Sequence, residues 1–519
     1  MVQAKPKPSY RVGCWLFLRL LGVVYLIAFV SLWVQIDGLV GSEGILPVGD
    51  YLERISENTG AERYWQVPTL LWLGHADVAL HVLCAAGVLL SLLLIVGLAP
   101  VAMLIVVWAT YLSLVCGGQT FLNFQWDVLL LEVGFCALFV APGTTRPQLP
   151  WSASPPRRTG LWLLWLLLFK LMFLSGVVKL ISMDETWWKL TALDYHYYTQ
   201  PIPTWTSWYA HRLPGWFQKL SILLTYVIEI GLPFLIFMPR WGRRVFGLAT
   251  VFLMFMIAAT GNYGFFNLLT AVLCIPLLDD AFWCRLLPRS FATWIGRRTP
   301  HQGTSNPGRR ISGTVPALLA VALIGISALT FVREMVRTAP RDGIGGVTGK
   351  LFDGAERWIL GWGRPYVLDW VGPFRTINGY GLFRSMTTAR PEIVIEGSRD
   401  GSTWVAYEFK WKAGDPARRP EFVAPHMPRV DWQMWFAALS PQRATAWLEG
   451  LMRGLLEGSP AVLGLLDENP FPDGPPRYVR LVYYRYEFSS SEQKREDGVW
   501  WVREQTGLLT RPLSLAQLQ

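Results

Sequence analysis

Lys179 closes an apolar run, SGVVKL at 175–180, and a stretch rich in rings and prolines follows it, TALDYHYYTQPIPTWTSWYAHRLP at 191–214. Desolvation favours the uncharged amine, so a lysine stripped of water at such a boundary can act as a base. The ordinary alternative is that its stem snorkels to lipid headgroups. In the stretch that follows, His196 and His211 flank TQPIP, among Tyr195, Tyr198, Gln200, Trp205 and Tyr209. Rings of this kind form a belt at a membrane interface, and they equally suit a surface that binds the exposed apolar patch of another polypeptide. Far downstream, PHMPRVDWQMWF holds His426, Asp431, Trp432 and Trp435. A His with an Asp suggests a catalytic pair, but no GxSxG elbow accompanies it, and Ser398 and Ser402 fall in a hairpin turn. The chain does not read as a lipase. The two Trp residues either fill a core or line an aromatic face.

Composition sets the class within which these residues act. Of 519 residues, 52% are hydrophobic and 16% charged, and 27 are Trp. Soluble domains carry roughly 25% charged residues, so an integral membrane protein is expected. Six cysteines all lie in or beside apolar stretches and none follows Cys284, which excludes a disulfide scaffold at the C-terminal end. No Cys/His spacing suggests a metal, and the phosphate-cradling GxxxxGK[ST] pattern is absent, so neither metal, cofactor nor bound ATP is expected. The net charge of +10 reports loop orientation before it reports nucleic acid, which is not expected as a partner.

Apolar runs near the ~20 residues needed to cross a bilayer occur at 13–36, 76–98, 100–117, 122–141, 161–182, 220–238, 244–260, 263–282 and 314–333. About nine spans are therefore expected. Lys5, Lys7 and Arg11 precede the first, Arg146, Arg157 and Arg158 follow the fourth, Arg240, Arg243 and Arg244 the sixth, and an Arg-rich linker at 297–313 the eighth. The alternate loops hold only Arg54, Arg63, Lys189, Arg212 and Lys219. By the positive-inside rule the N-terminus is cytoplasmic, and the 184–218 loop shares the outer or lumenal side with everything after Val332. The first run is longer than a signal-peptide core and reads as a retained anchor. Ionisable residues inside the runs include Arg19, Asp77, His81, Asp127, Glu132, Lys170, Lys179 and Glu229. Asp77 with His81, and Asn123 with Asp127, share helix faces and are expected to bond locally.

After the last run the pattern turns to alternation. EIVIE at 392–396 and WVAYEFKWK at 404–412 read as strands joined by an SRDGS turn, with Tyr407, Phe409 and Trp411 on one face and Glu408, Lys410 and Lys412 on the other. Further strands are expected at 478–488 and 499–504. Helices are expected at 441–467, with Leu448, Leu451, Met452 and Leu455 on one face. The predicted architecture is a polytopic α-helical membrane domain at 1–334, then a soluble, mainly antiparallel, sandwich-like β domain with a helical insertion at 335–519.

The 175–214 stretch resembles the lipase maturation factor family, as do NGYGLFRSMTTARPEIVIEGSRDGSTW at 378–404 and RRPEFVAPHMPRVDWQMWFAAL at 418–439. The resemblance implies a membrane-embedded, chaperone-like maturation factor whose client is a secreted lipase and whose surroundings are membrane lipid. It implies the endoplasmic reticulum membrane in animals, and in a bacterium the cytoplasmic membrane is expected. The absence of any N-x-Ser/Thr acceptor points away from a glycosylated lumen. SGVVKL also resembles, locally, a Gly-x-x-Lys-Leu run of vitamin K-dependent gamma-carboxylase-like proteins, which implies Lys179 as the base of an intramembrane enzyme. That is the alternative to a non-enzymatic factor.

Overall fold

A segment crossing hydrocarbon must satisfy its backbone internally, so long apolar runs become helices. The computed structural model describes residues 8–150, 153–286, 314–340 and 346–518. Seven helices among them are long and apolar enough to span: α1 (Arg11–Trp33), α2 (Asp77–Val96), α3 (Pro100–Gly117), α5 (Arg158–Ile181), α6 (Gly215–Phe237), α7 (Arg240–Thr260) and α9 (Leu318–Thr338). An eighth is reached if α8 (Phe266–Leu277), bent by 110° against Asp280–Leu286, counts with that helix as one span. The expected nine is corrected accordingly. The 263–282 run is this broken pair, and the 122–141 run holds only α4 (Gln125–Ala137), 13 residues long. Lys5, Lys7 and the 297–313 linker lie outside the described residues.

Short as it is, α4 joins the two ends of the bundle. At its start Gln119 Nε2 donates to Leu46 O at 3.1 Å. Beyond its end Thr145 O accepts from Ala99 N at 3.1 Å, at the opening of α3. Nearly all of α4 is buried, so its apolar character comes from packing against protein on every side. Through Phe17, Leu21, Val24, Tyr25 and Phe29, all without solvent exposure, α1 packs into the same core.

The C-terminal part is built on one four-stranded antiparallel sheet in the order β2-β1-β3-β4, with β1 Arg390–Ser398, β2 Val405–Tyr407, β3 Tyr478–Phe488 and β4 Trp501–Leu508. Ile393 faces Tyr483 and Ile395 faces Tyr407 across the ladders. The expected SRDGS turn forms: Asp400 Oδ1 accepts from Ser402 N and Thr403 N, both at 2.8 Å, and Gly401 adopts φ +77°. Those N–H groups hold the Asp400 carboxyl below the usual carboxylate range. In place of a second sheet, helices cover this one. α11 (Arg429–Leu439) packs on β1, and α12 (Thr445–Glu457) packs on β3 and buries Leu448, Leu451, Met452 and Leu455. The 404–412 strand is also shorter than expected. Beyond Tyr407 the chain leaves the ladder, and Lys412, expected to face water, turns inward to sit 2.8 Å from Glu392.

The two parts share one continuous hydrophobic core, and α4 carries two of the buried polar clusters that join them. Arg429, fully buried at the start of α11, donates from Nη1 to Asp127 Oδ2 and from Nη2 to Asp127 Oδ1, each at 2.9 Å. Tyr111 OH donates to the same carboxylate at 2.5 Å. One helical stretch further on, Glu132 Oε1 accepts from Lys170 Nζ at 2.5 Å. Its Oε2 accepts from Asn378 N at 2.8 Å and Tyr380 OH at 2.6 Å. The expected Asn123–Asp127 pairing gives way to this arrangement because a bidentate guanidinium satisfies a buried carboxylate better than an amide. The Asp77–His81 pairing is replaced too: Asp77 accepts from Ser42 N and Oγ, and His81 lies 3.1 Å from Asp37.

Removing one partner of a buried pair strands the other charge. Asp127→Leu and Arg429→Met are each expected to cost about 3–5 kcal/mol in denaturant unfolding in detergent. The double variant is expected to cost clearly less than their sum; strict additivity would show that the pair does not couple.

Candidate functional site

The 191–214 stretch meets the stretch that begins the sheet, and a buried arginine holds them together. Arg390, at the start of β1, has no solvent exposure. It donates from Nη1 to Tyr198 O at 2.8 Å and to Gln200 O, and from Nη2 to Pro201 O at 3.0 Å. Glu392 balances its charge at 2.6 Å and also takes Lys412. The 191–214 stretch is not an open loop. Two short helices, Ala192–Thr199 and Trp205–Ala210, form within it, and the bound carbonyls lie at the end of the first and just beyond it. Trp435 Nε1 adds a bond to Thr199 O at 2.7 Å. From the far end of α7, Asn262 Oδ1 accepts from Val423 N and Ala424 N at 2.8 and 3.0 Å.

Beneath this junction lies a cavity of about 110 Å³ among α5, α6, α7 and α8. Lys179 reaches it but neither snorkels nor stands free. Its Nζ donates to Glu229 Oε2 at 2.6 Å and to Ser175 O at 3.0 Å, with both charged side chains buried. Glu229 lies in a π-helical turn of α6, Val227–Gly231, a distortion often found at functional sites. Gly176 explains the close approach of α5 to that turn, since a Cβ there would lie 2.5 Å from Ile230 Cγ1. Asn267 also lines the cavity, and its buried Oδ1 has no hydrogen-bond partner among the described residues. Trp187 and Phe383 also line it. His196 Nε2 sits 3.2 Å from Tyr263 OH. Burial, and then the charge of Lys179, push this imidazole down to about 4, so it is neutral at physiological pH. A paired lysine, a neutral imidazole and an unpartnered amide suit polar recognition; as placed, the ammonium is committed to Glu229.

The other candidates divide by exposure. Gln200 is buried and bonded to Thr260 O and Tyr263 OH. Asp431 accepts from Trp411 N at 2.8 Å and Lys412 N at 2.9 Å, and burial keeps its carboxyl above the usual range. It does not engage His426, whose Nδ1 sits 2.9 Å from Ser31 Oγ on α1. Trp432 is buried against Phe124, Trp126 and Tyr263, and Trp435 is buried beside it. Tyr195 and Tyr198 are half-buried, with Tyr198 OH on Thr388 O. His211 is half-buried between Tyr198 and Phe488. Trp205 and Tyr209 remain at the surface, 36% and 52% exposed. Arg390, Glu392, Arg429 and Asn262 were not foreseen. The one available signal was charge inside an apolar strand, Arg390 and Glu392 ahead of IVI.

The family model described as "Lipase maturation factor transmembrane domain" matches residues 12–285, and "Lipase maturation factor C-terminal domain" matches 376–510. Lipase maturation factor 2 of Gallus gallus is 37% identical over 576 residues, covering 94% of this chain and 79% of that protein. Lipase maturation factor 2 of Homo sapiens is 37% identical, covering 94% and 81%. Lipase maturation factor 1 of Bos taurus is 33% identical, covering 97% and 89%. No solved structure matches.

Two outcomes follow from the geometry. Glu229→Leu leaves a buried ammonium and is expected to lower thermal stability more than Lys179→Met/Glu229→Leu does; the reverse order would mean the pair contributes nothing. Burial, then Arg429 and Lys410, push the folded His426 imidazole down to about 4. The unfolded group titrates near 6.5, so stability is full above about pH 6.5 and falls as pH drops toward about 4. Melting temperature is expected to decline from about pH 7 to about pH 5, less steeply in His426→Gln, which keeps a polar partner for Ser31. Parallel profiles would exclude His426 as a source of the decline.

Proposed function

Because this chain belongs to the lipase maturation factor family, we propose that it assists folding or assembly of a secreted lipase on the side of the membrane where its C-terminal domain lies. That side is the lumen or periplasm, with the N-terminus cytoplasmic, a reading the distribution of basic residues supports. The membrane is the endoplasmic reticulum in a eukaryote and the cytoplasmic membrane in a bacterium. The functional division falls between 1–334 and 335–519.

The observation that carries this reading is an exposed ring cluster built from both outer stretches. Trp205 meets Phe422 at 5.9 Å and Tyr209 at 6.1 Å between ring centroids, edge on. Phe422 is 47% exposed, and Lys494 lies 4.6 Å over Tyr209. Below the cluster, Thr206 Oγ1 donates to Ala259 O at the end of α7, and the Arg390 clamp fixes the neighbouring chain. Rings held rigidly in this way bury apolar area with few torsions left to freeze. A partly folded client exposes such area and a folded one conceals it, so the cluster binds the first better than the second. Differential affinity of this kind shifts a client population without ATP. Tyr195, His196, Tyr198 and His211, half-buried on the same stretch, are further candidates for client contact. The buried Gln200, Asp431, Trp432 and Trp435 and the half-buried His426 support the cluster.

The test is the specific activity, per mole of secreted lipase, in the native host with the gene intact, deleted, or carrying Trp205→Ala/Tyr209→Ala/Phe422→Ala. Deletion is expected to lower activity per mole while other secretion holds, and the triple variant to approach the deletion. No change on deletion would contradict a lipase client. A deletion effect without a variant effect would contradict the ring cluster as the docking surface.

A further inference from the structure

Between α9 and the sheet, residues 346–371 form one helical run, α10, in which π-helical pieces Ala355–Leu360 and Arg364–Leu368 alternate with α-helical ones. Along it Trp358, Trp362, Tyr366 and Trp370 recur every four residues and are 76%, 59%, 70% and 58% exposed. Four-residue spacing drifts around a pure α-helix of 3.6 residues per turn; the wider π-turns offset the drift and keep the rings in one stripe. Leu351, 67% exposed, and Ile359, 40% exposed, add aliphatic surface. So large an aromatic stripe is not left to water in a folded protein.

What covers it follows from where α10 sits. A Cβ at Gly363 would lie 3.0 Å from Leu329 Cδ2 of α9. Leu329 is nine residues before the end of α9 at Thr338, or about 14 Å along the axis. A hydrocarbon core is about 30 Å thick, so α10 reaches well down the flank of a membrane-crossing helix. Its far end returns to the surface at Trp65, whose ring meets Trp370 at 5.4 Å and Phe374 at 4.7 Å. The opposite edge of the run is polar. Asp353, Glu356 and Arg364 face Arg333, Arg337 and Arg375 across a cavity of about 1080 Å³.

We propose that α10 is a membrane-inserted helix that dips into the leaflet adjoining the C-terminal domain, its aromatic stripe facing lipid and its charged edge lining a hydrated, headgroup-level cavity. One apolar edge, one charged edge and a high share of Trp are the marks of a helix lying in the interface. This anchor is additional to the spans and sets the height of the C-terminal domain over the bilayer. It does not depend on the identity of the client.

The test places single cysteines in the full chain with Cys284→Ser, the other five cysteines serving as labelling background in a control without an added one. Trp358→Cys, Trp362→Cys, Tyr366→Cys and Trp370→Cys, and separately Asp353→Cys and Glu356→Cys, are spin-labelled in phosphatidylcholine bilayers. Collision with oxygen is expected to exceed collision with a water-soluble nickel chelate on the stripe, and the order to reverse on the polar edge. Nickel access to the stripe equal to that of the polar edge, or protection of the stripe from both reagents by a protein partner, would overturn the proposal. As a check that needs no label, brominated phosphatidylcholine is expected to quench the unaltered chain more than Trp358→Phe/Trp362→Phe/Trp370→Phe. Equal quenching would likewise overturn it.

Discussion

Two carboxylates on one short helix determine how this protein is put together. Asp127 and Glu132 lie inside a helix bundle, where an unpaired charge costs several kcal/mol, and the membrane helices supply only part of what they need. Tyr111 and Lys170 each provide one donor. The remaining donors come from beyond residue 370: Arg429 for Asp127, and Asn378 with Tyr380 for Glu132. Neither part of the chain can therefore complete its polar bonding without the other. Around these bonds the apolar contacts are continuous, with Trp126 against Trp432 and Phe121 against Trp447.

That shared interior explains how a surface can be held firmly above a bilayer. Segments outside a core ordinarily move on their own, yet the 191–214 stretch is gripped on one side by Arg390 and on the other by Tyr263, which donates to Gln200 Oε1, and Asn262, which donates to Ile202 O. The exposed rings of Trp205, Tyr209 and Phe422 rest on that frame. Rigidity matters for a factor that acts by preference alone, because ordering a binding surface subtracts from the affinity it can offer a client.

Local features were legible in the sequence, and long-range pairings were not. Alternation at 392–396, the SRDGS turn, the 478–488 strand and the apolar face of α12 can each be read from neighbours along the chain, and each formed. The α4 run read as a full-length, lipid-facing span because apolar residues buried against protein resemble those facing lipid. Charged positions in the spans were visible as costly, but Asp127 finds Arg429 302 residues away, and no spacing rule reaches that far. Lys412 was assigned to water by alternation alone, which is blind to the Glu392 carboxylate waiting on the buried side. The aromatic character of 191–214 was evident. Which rings stay exposed depended on the Arg390 clamp, whose ligands are carbonyls and leave no trace in side-chain pattern.

The central claim is that the C-terminal part and the membrane helices form one cooperative unit held through α4. Hydrogen exchange in bilayers, followed by mass spectrometry, tests this most directly. Peptides covering 376–383 and 423–439 are predicted to share the slow exchange of α4 and to lose protection together with it as denaturant rises. Early, independent exchange of those two segments while α4 stays protected would contradict the account.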